Sequence, residues 1–324
     1  MKKKKKEERK RMPGEIIPLC YDKLFKKVFA DVDHVERLEA LVSIGLGVPM
    51  EDVKGRVSLL NSERVVYDKK QKKQILDVVA EIKYPNKRTT RIDIEVNLDE
   101  ASTLLKGIAY GSGVFGSGLK VSEDYSDIPG MIQLAFDKYE INKNNPRIVK
   151  EYYLKDETNT ILFEALKFKH INIEKSQEAW YNNTIQKERI EDQNLIRFGA
   201  AMSMDKKDLF LACMESVVMD EDIKKDIEDA VIEYSEDANA WLYFDIEKDK
   251  KASENARLSF AKAKGKAEGI EIGKAEGIEL GIEQRNIEVV KSLLSQNVSI
   301  EIIKNATGFT EAEIEEIKKE IVGL

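Results

Sequence analysis

Two acidic side chains, Asp77 and Glu95, lie in strand-like segments where a carboxylate needs a physical reason to be present. Residues 75–80 are apolar except for Asp77, and a buried acid costs free energy unless something offsets its charge. Side chains alternate between the two faces of a strand, so Glu95 shares a face with Asp93 and Asn97. Both acids are therefore candidates for chemistry rather than for packing.

If the two segments pair as a hairpin, Asp77 and Glu95 meet near one end of it. Two close carboxylates repel, and each raises the pKa of the other unless a cation lies between them. Hard divalent cations such as Mg²⁺, and Mn²⁺ as well, favour oxygen ligands of this kind. The pair therefore predicts a site for Mg²⁺ or Mn²⁺ that is suited to the hydrolysis of phosphodiester bonds.

The order and spacing of several motifs resemble a known family. The segments LDVVAE (76–81) and IEVN (94–97) are similar to the core of the PD-(D/E)XK nuclease superfamily. More narrowly, they resemble the recombination-promoting nuclease/putative transposase family, whose pattern is LD-x-x-x-E followed by IE-x-Q. The segment YDKLFKKVF (21–29) resembles the opening D-x-x-F-K-x-x-F helix of that family, and SEDYSDIP (122–129) resembles its G-E-D-Y-x-x-L-x-P turn.

This resemblance spans most of the chain, and the Lys/Glu/Gly repeat near the C-terminus also recurs in many members of the family. It implies an α/β fold with a restriction-endonuclease-like mixed sheet flanked by helices and a helical C-terminal extension. It also implies a metal-dependent DNA endonuclease, with DNA as the partner.

The resemblance further implies a role for each residue of the hairpin. Asp77, Glu95 and the backbone carbonyl of Val96 would bind the metal. The superfamily has Lys at position 97 and this family usually has Gln, whereas this chain has Asn97, which can orient the attacking water but carries no charge. Asp22, on the helix before the hairpin, is a candidate acid for the site, although Asp at a helix N-terminus is equally typical of a cap.

The uncharged Asn97 leaves more than one function open. The chain could cleave DNA, or it could be a catalytically degenerate member that binds DNA or a partner protein. A purely structural oligomeric scaffold is a third class, which predicts neither cleavage nor salt-dependent DNA binding. Lys106, from the helix after the hairpin, is a candidate for supplying the missing charge and for contact with DNA.

A second E-x-K triplet, Glu81-Ile82-Lys83, follows Asp77 by four residues. Four residues of a strand span about 13 Å, which is too far for Glu81 and Asp77 to share a metal ion. We therefore assign the motif to residues 95–97. Lys83, Arg88 and Arg91 are candidates for contact with DNA phosphates, although a solvent-facing lysine is the simpler interpretation of Lys83.

The composition excludes several other classes. The chain has 324 residues, 35% of them charged and 42% hydrophobic, which is typical of a soluble globular protein with one large domain plus appendages. No apolar run approaches a membrane span, and no signal peptide is recognisable, so we expect a cytoplasmic protein with no membrane partner. Cys20 and Cys213 are far apart, and His34 and His170 are isolated, which argues against a His-rich zinc site and a Ser/His/Asp hydrolase.

The net charge of −7 is unusual for a protein that binds nucleic acid, so the distribution of charge matters more than its sum. Residues 2–11 are strongly basic. They are either an arm that grips DNA or a solvated tail, and the tail is the commoner outcome for a charge run.

The patterns divide the chain into five parts. We predict a basic tail (1–20), a nuclease-like core (21–175), a helical cap (176–255), a repeat that forms a helix or a tether (256–285) and a helix-turn-helix-like tail (286–324). The repeat has glycine at every fourth position from 265 to 281, which costs an isolated helix roughly 4–5 kcal/mol. A partner helix packed on that stripe could offset the cost, which favours a homo-oligomer. The final helix has more Glu than Lys and begins at a Thr310/Glu313 capping box, which favours a protein-interaction element over a DNA reader.

Overall fold

The computed structural model describes residues 11–60, 77–85, 88–98, 103–116 and 124–322. The chain divides into two compact units, Met1–Asp245 and Ile246–Leu324. Among the described residues, no helix combines the length and the apolar character that a membrane crossing requires.

The first unit is a mixed sheet with helices on its faces. Its strands are β1 (Val57–Leu60), β2 (Val78–Ile82), β3 (Thr90–Asn97), β4 (Gly130–Asp137), β5 (Val149–Tyr153) and β6 (Leu166–Asn172). Its helices are α1 (Asp22–Phe29), α2 (Val35–Leu46), α3 (Thr103–Gly116), α4 (Ile173–Tyr181), α5 (Ile190–Met202), α6 (Lys207–Glu215) and α7 (Glu221–Glu236). The chain then continues through α8 (Ala238–Ser295), α9 (Ile300–Thr307) and α10 (Glu311–Val322).

The strand order is β1-β2-β3-β4-β6-β5. The pairs β1–β2, β2–β3 and β5–β6 are antiparallel, whereas β3–β4 and β4–β6 are parallel. The expected fold class, a restriction-endonuclease-like mixed sheet flanked by helices with a helical C-terminal extension, is confirmed. The predicted hairpin is the β2–β3 pair.

One face of the sheet packs against α1 and α2. The apolar residues of α1 recur at the three- and four-residue spacing of one helical face, and all of them are buried. The Phe25 ring lies 6.5 Å from that of Phe136 on β4, and the Phe29 ring lies 6.1 Å from that of Phe198 on α5. These contacts fix the position of α1 on the sheet. The polar side of the helix takes no part in this packing.

The opposite face of the sheet is covered by α3. A Cβ atom at Gly107 would collide with the side chain of Gln133, and one at Gly111 would collide with Met131. These two glycines therefore let the helix backbone approach β4 closely, at a cost of about 1 kcal/mol each relative to alanine. These glycines thus permit close packing of α3 on the sheet.

The first unit is larger at both ends than the predicted core of residues 21–175. Ile16, Ile17 and Leu19 are buried in the hydrophobic core, so this part of the predicted tail of residues 1–20 is not a tail; residues 1–10 lie outside the described part of the chain. The same core continues through Phe210 and Trp241 in the predicted helical cap. An apolar run of three residues was too short to be recognised as core from its pattern.

In its described residues, the second unit consists of helices joined by short turns. Residues 256–285, which we predicted as a helix or a tether, lie within α8. At the start of α10, the Thr310 N–H donates to a Glu313 carboxylate oxygen at 2.7 Å and the Glu313 N–H donates to the Thr310 hydroxyl at 3.4 Å, so the predicted capping box is confirmed. Gly308, in the left-handed region at φ +78°, ends α9 and allows the turn into α10.

Candidate active site

The register of the β2–β3 pair brings the two predicted acids together. Val79 lies opposite Asp93 and Val78 lies opposite Ile94, which puts Asp77 next to Glu95. The backbone N–H of Asp77 donates to a Glu95 carboxylate oxygen at 3.3 Å. The structure thus places both carboxyl groups at one end of the hairpin, eighteen residues apart in sequence.

Val96 joins the two acids through its backbone. Its N–H donates to Asp77 Oδ2 at 2.9 Å, so this backbone segment borders the Asp77 carboxylate. Glu95 is buried, and the Asp77 side chain is 13% exposed. All three predicted metal ligands are therefore neighbours, in a site that water reaches to a limited extent.

Helix α1 adds an acidic and a basic residue to this cluster. Asp22 and Lys26 lie one helical turn apart, and the Lys26 ammonium is 2.8 Å from Asp22 Oδ1. The same ammonium is 3.1 Å from Asp77 Oδ1. The sequence patterns assigned no role to Lys26, although its four-residue spacing from Asp22 is a signal for an ion pair on a helix. The structure thus brings Asp22 to the site, with the Lys26 ammonium between the carboxylates of Asp22 and Asp77.

The charges of this cluster perturb one another. Burial raises the pKa of Asp77 above its usual value, and the nearby Asp22 carboxylate raises it further; the Val96 N–H and the Lys26 charge oppose the rise without cancelling it. Burial on its own would lower the pKa of Lys26, but its contacts with Asp22 and Asp77 outweigh that effect and raise the pKa. Lys26 therefore stays charged at neutral pH.

Asn97 is held in place by a buried polar network. Its side-chain nitrogen donates to Asp137 Oδ1 at 2.9 Å, and Asp137 Oδ2 lies 2.7 Å from His170 Nδ1. These contacts connect β3, β4 and β6, and all three side chains are buried. Asp137 thereby fixes the orientation of the Asn97 amide. His170 is in the core, in agreement with a structural role.

The other candidate cations lie at the opposite end of the hairpin. Glu81 is paired with Lys83 at 3.2 Å and with Arg91 at 3.5 Å. The Arg88 guanidinium donates to the Ile128 carbonyl and lies 5.2 Å from the centre of the Phe163 ring. Arg91 and Glu95 are four residues apart on one strand, which is about 13 Å. The structure does not bring Lys83, Arg88 or Arg91 to the acid pair, and their contact with DNA stays a prediction.

Lys106 lies in α3, but its side chain is outside the described part of the chain. The candidate role of Lys106 as the source of the charge missing at position 97 therefore stays a prediction.

The donors at the acid end suit a hard divalent cation. Among the described residues, no group of three or more His, Cys, Asp and Glu side chains is arranged around one point. However, Mg²⁺ is commonly bound by one or two carboxylates and keeps several of its waters. Asp77, Glu95 and the Val96 carbonyl offer oxygen ligands of this type. Each carboxylate oxygen can accept more than one partner, so Asp77 can bind a cation while it contacts Lys26.

Comparison with known families covers most of the chain. A family model described as PD-(D/E)XK nuclease family transposase matches residues 19–256. This range includes α1, the β2–β3 hairpin and the helices that complete the first unit. Comparisons with curated proteins and with solved structures found no match.

Proposed function

The chain belongs to the PD-(D/E)XK nuclease family transposases, and from this premise we propose that it is a metal-dependent endodeoxyribonuclease that hydrolyses phosphodiester bonds. The observation that carries the proposal is the contact of Glu95 with the Asp77 backbone at 3.3 Å, which pairs two acids at one strand end. Close buried carboxylates repel unless they share a proton or a cation lies near them, so this pair is suited to bind a divalent cation.

Each residue of the site has a proposed task. Asp77, Glu95 and the Val96 carbonyl would hold Mg²⁺ or Mn²⁺, which, when bound, supplies a Lewis acid for the scissile phosphate. Asn97, oriented by Asp137, would hydrogen-bond the attacking water. Asp22 would hold Lys26 beside Asp77.

We propose DNA as the substrate, bound by local positive charge rather than by the net charge of the chain, which is −7. Lys83, Arg88 and Arg91 would contact phosphates at a distance from the cleaved bond, since they lie at the other end of the hairpin. Cys20 and Cys213 are buried and form no disulfide, which supports our proposal of a cytoplasmic location.

The uncharged Asn97 supports a second candidate function. A member of the family that has lost the charge at position 97 could bind DNA, or a partner protein, without cleaving it. Asp77 and Glu95 would then keep their positions in the fold without supporting cleavage.

A plasmid-nicking assay separates the two candidates. The wild type and Asp77→Ala are incubated with supercoiled plasmid in Mg²⁺ or in EDTA. Nicking by the wild type in Mg²⁺, lost in EDTA and in Asp77→Ala, is the expected result. Equal nicking by both proteins would rule out the assigned site. If neither nicks but both retain DNA binding, the degenerate function is favoured.

We also propose that the chain forms a homo-oligomer through the glycine repeat of α8. A Cβ atom at Gly269, Gly273 or Gly277 would meet no atom within 4 Å, and Ile270, Ile272 and Ile278 of the same segment are exposed. A close partner helix would cover these positions. Gly273→Leu should shift the sedimentation coefficient to that of a monomer, while circular dichroism shows that helix content is kept, since leucine favours helix over glycine. An unchanged coefficient would contradict the proposal.

A further inference from the structure

Because Asn97 is uncharged, the proposed reaction lacks a positive charge at position 97. Phosphodiester hydrolysis develops negative charge on the phosphate oxygens, and an aligned cation stabilises that charge. The amide nitrogen of Asn97 donates to Asp137 at 2.9 Å, and the amide carries no charge. A positive charge from another element of the fold would have to fill this role.

Lys26 is placed to do so. Its ammonium lies 3.1 Å from Asp77 Oδ1, which is a proposed metal ligand, and 2.8 Å from Asp22 Oδ1. Its side chain is 30% exposed, so solvent reaches part of it. An ammonium has three N–H donors, and these contacts use two of them. The third can reach a phosphate oxygen that approaches Asp77.

The fold holds Lys26 in this position from two sides. The opposite side of α1 is anchored by the buried rings of Phe25 and Phe29, so the helix cannot rotate freely. Asp22, one turn earlier, holds the ammonium by an ion pair. A lysine on a rigid helix loses less conformational freedom on binding a substrate than a lysine on a loop.

We propose that Lys26 is the catalytic cation of this site, which contacts the scissile phosphate in place of the residue at position 97. This inference rests on the proposed function. In the step, the water oxygen forms a bond to phosphorus as the bond from phosphorus to the departing sugar oxygen breaks. The departing oxygen takes the electron pair and is protonated from solvent, and the water gives up its proton to solvent. Lys26 stays protonated throughout and donates to a non-bridging oxygen.

Single-turnover cleavage of a duplex in Mg²⁺ tests the proposal. Lys26→Met should slow cleavage by roughly 10²-fold or more, the usual effect of removing one charge-stabilising donor. Lys27→Met is the matched control, because Lys27 is the next residue of α1 and lies over the Tyr234 ring at 5.5 Å, away from the acids. This control should cleave at the wild-type rate. The double variant Lys26→Met/Asn97→Lys should recover at least tenfold over Lys26→Met.

A second readout does not require cleavage. Duplex binding is measured in Ca²⁺ at several salt concentrations for the wild type, Lys26→Met and Lys27→Met. Loss of a lysine–phosphate contact lowers the slope of log K against log salt by about one, and we expect this for Lys26→Met and not for Lys27→Met. Mn²⁺ titration should show that Lys26→Met still binds the ion, and at least as tightly as the wild type, because an ammonium no longer competes for Asp77.

The outcomes separate this inference from the proposed function. Wild-type rates in Lys26→Met would overturn the role of Lys26 and leave the nuclease intact. A wild type that binds DNA without cleaving it would overturn the nuclease, and the salt slope would then decide whether Lys26 contacts phosphate. An unchanged slope in Lys26→Met, or a loss of Mn²⁺ binding, would assign Lys26 to the structure of the acid cluster and overturn the proposal.

Discussion

The two ends of the β2–β3 hairpin contain similar residues in different arrangements. At one end, Asp77 and Glu95 are neighbours, with a single described ammonium, that of Lys26, near Asp77. At the other end, Glu81 faces both Lys83 and Arg91. At the first end Asp22 and Asp77 share the Lys26 ammonium, whereas at the second end Glu81 lies between two cations. The acid of an E-x-K triplet without an acidic neighbour is neutralised by nearby cations. Two acids placed in register favour the binding of a further cation.

The difference between the two ends should be largest in catalysis. Glu95→Gln keeps an oxygen that can accept from the Asp77 N–H but loses the carboxylate charge. We expect plasmid cleavage in Mg²⁺ to fall by at least about 10³-fold, which corresponds to a loss of some 4 kcal/mol of transition-state stabilisation. Glu81→Gln is the matched variant and should stay within about threefold of the wild type. If Glu81→Gln loses activity and Glu95→Gln keeps it, the triplet at residues 81–83 is the site after all.

The same contrast should appear in metal binding without any DNA. A ligand at a hundredfold excess over its Kd stabilises a folded protein by about 2.7 kcal/mol. Mn²⁺ should therefore raise the Tm of the wild type and of Glu81→Gln, and EDTA should reverse the rise. Asp77→Asn should show no rise. A Mn²⁺-induced shift in Asp77→Asn that equals the wild-type shift would place the metal elsewhere.

A lysine at the far end of the hairpin should affect DNA binding without affecting the rate of cleavage. The Lys83 side chain is 69% exposed, so its loss should not disturb the fold. If Lys83 contacts a phosphate, Lys83→Gln lowers the slope of log K against log salt by about one but leaves single-turnover cleavage at saturating protein unchanged. No change in slope would show that the far end of the hairpin does not touch DNA.

The smallest expected effect is on stability. Burial raises the pKa of Asp77 in the folded protein above its value in the unfolded chain, so the folded state holds this proton more tightly. The stability that protonated Asp77 contributes is present at low pH and is lost as pH rises through the folded-state pKa. In EDTA, Asp77→Asn should therefore unfold at a higher temperature than the wild type at pH 8, and the gap should close as the pH falls towards 4. A difference in unfolding temperature that grows as the pH falls would contradict this expectation.

Local patterns were sufficient for the β2–β3 hairpin and for the acid pair. The two-residue alternation in β3 predicted which residues share a face with Glu95, and the length of four strand residues excluded Glu81 as a partner of Asp77. The apolar residues of segment 21–29 have the spacing of one helical face, which is the buried side of α1. Each of these inferences needs no more than the geometry of one strand, one helix or one hairpin.

Contacts between elements distant in sequence were not predictable in this way. Lys26 reaches Asp77 across 51 positions because α1 packs on the sheet, and the Asn97–Asp137–His170 network requires the parallel order of β3, β4 and β6. Arg88 and Arg91 lie within a few residues of Glu95 in sequence, yet the antiparallel register places them at the end of the hairpin away from the acids. Proximity to a motif along the chain is therefore a poor measure of proximity to its site.

A crystal structure of the protein with Mn²⁺, recorded at a wavelength where the metal scatters anomalously, would locate the metal ion. We expect one strong anomalous peak at about 2.0–2.3 Å from oxygens of both Asp77 and Glu95, with the Val96 carbonyl completing the protein ligands. A peak bound at Glu81 or elsewhere, with the Asp77 and Glu95 carboxylates turned away from each other, would contradict it.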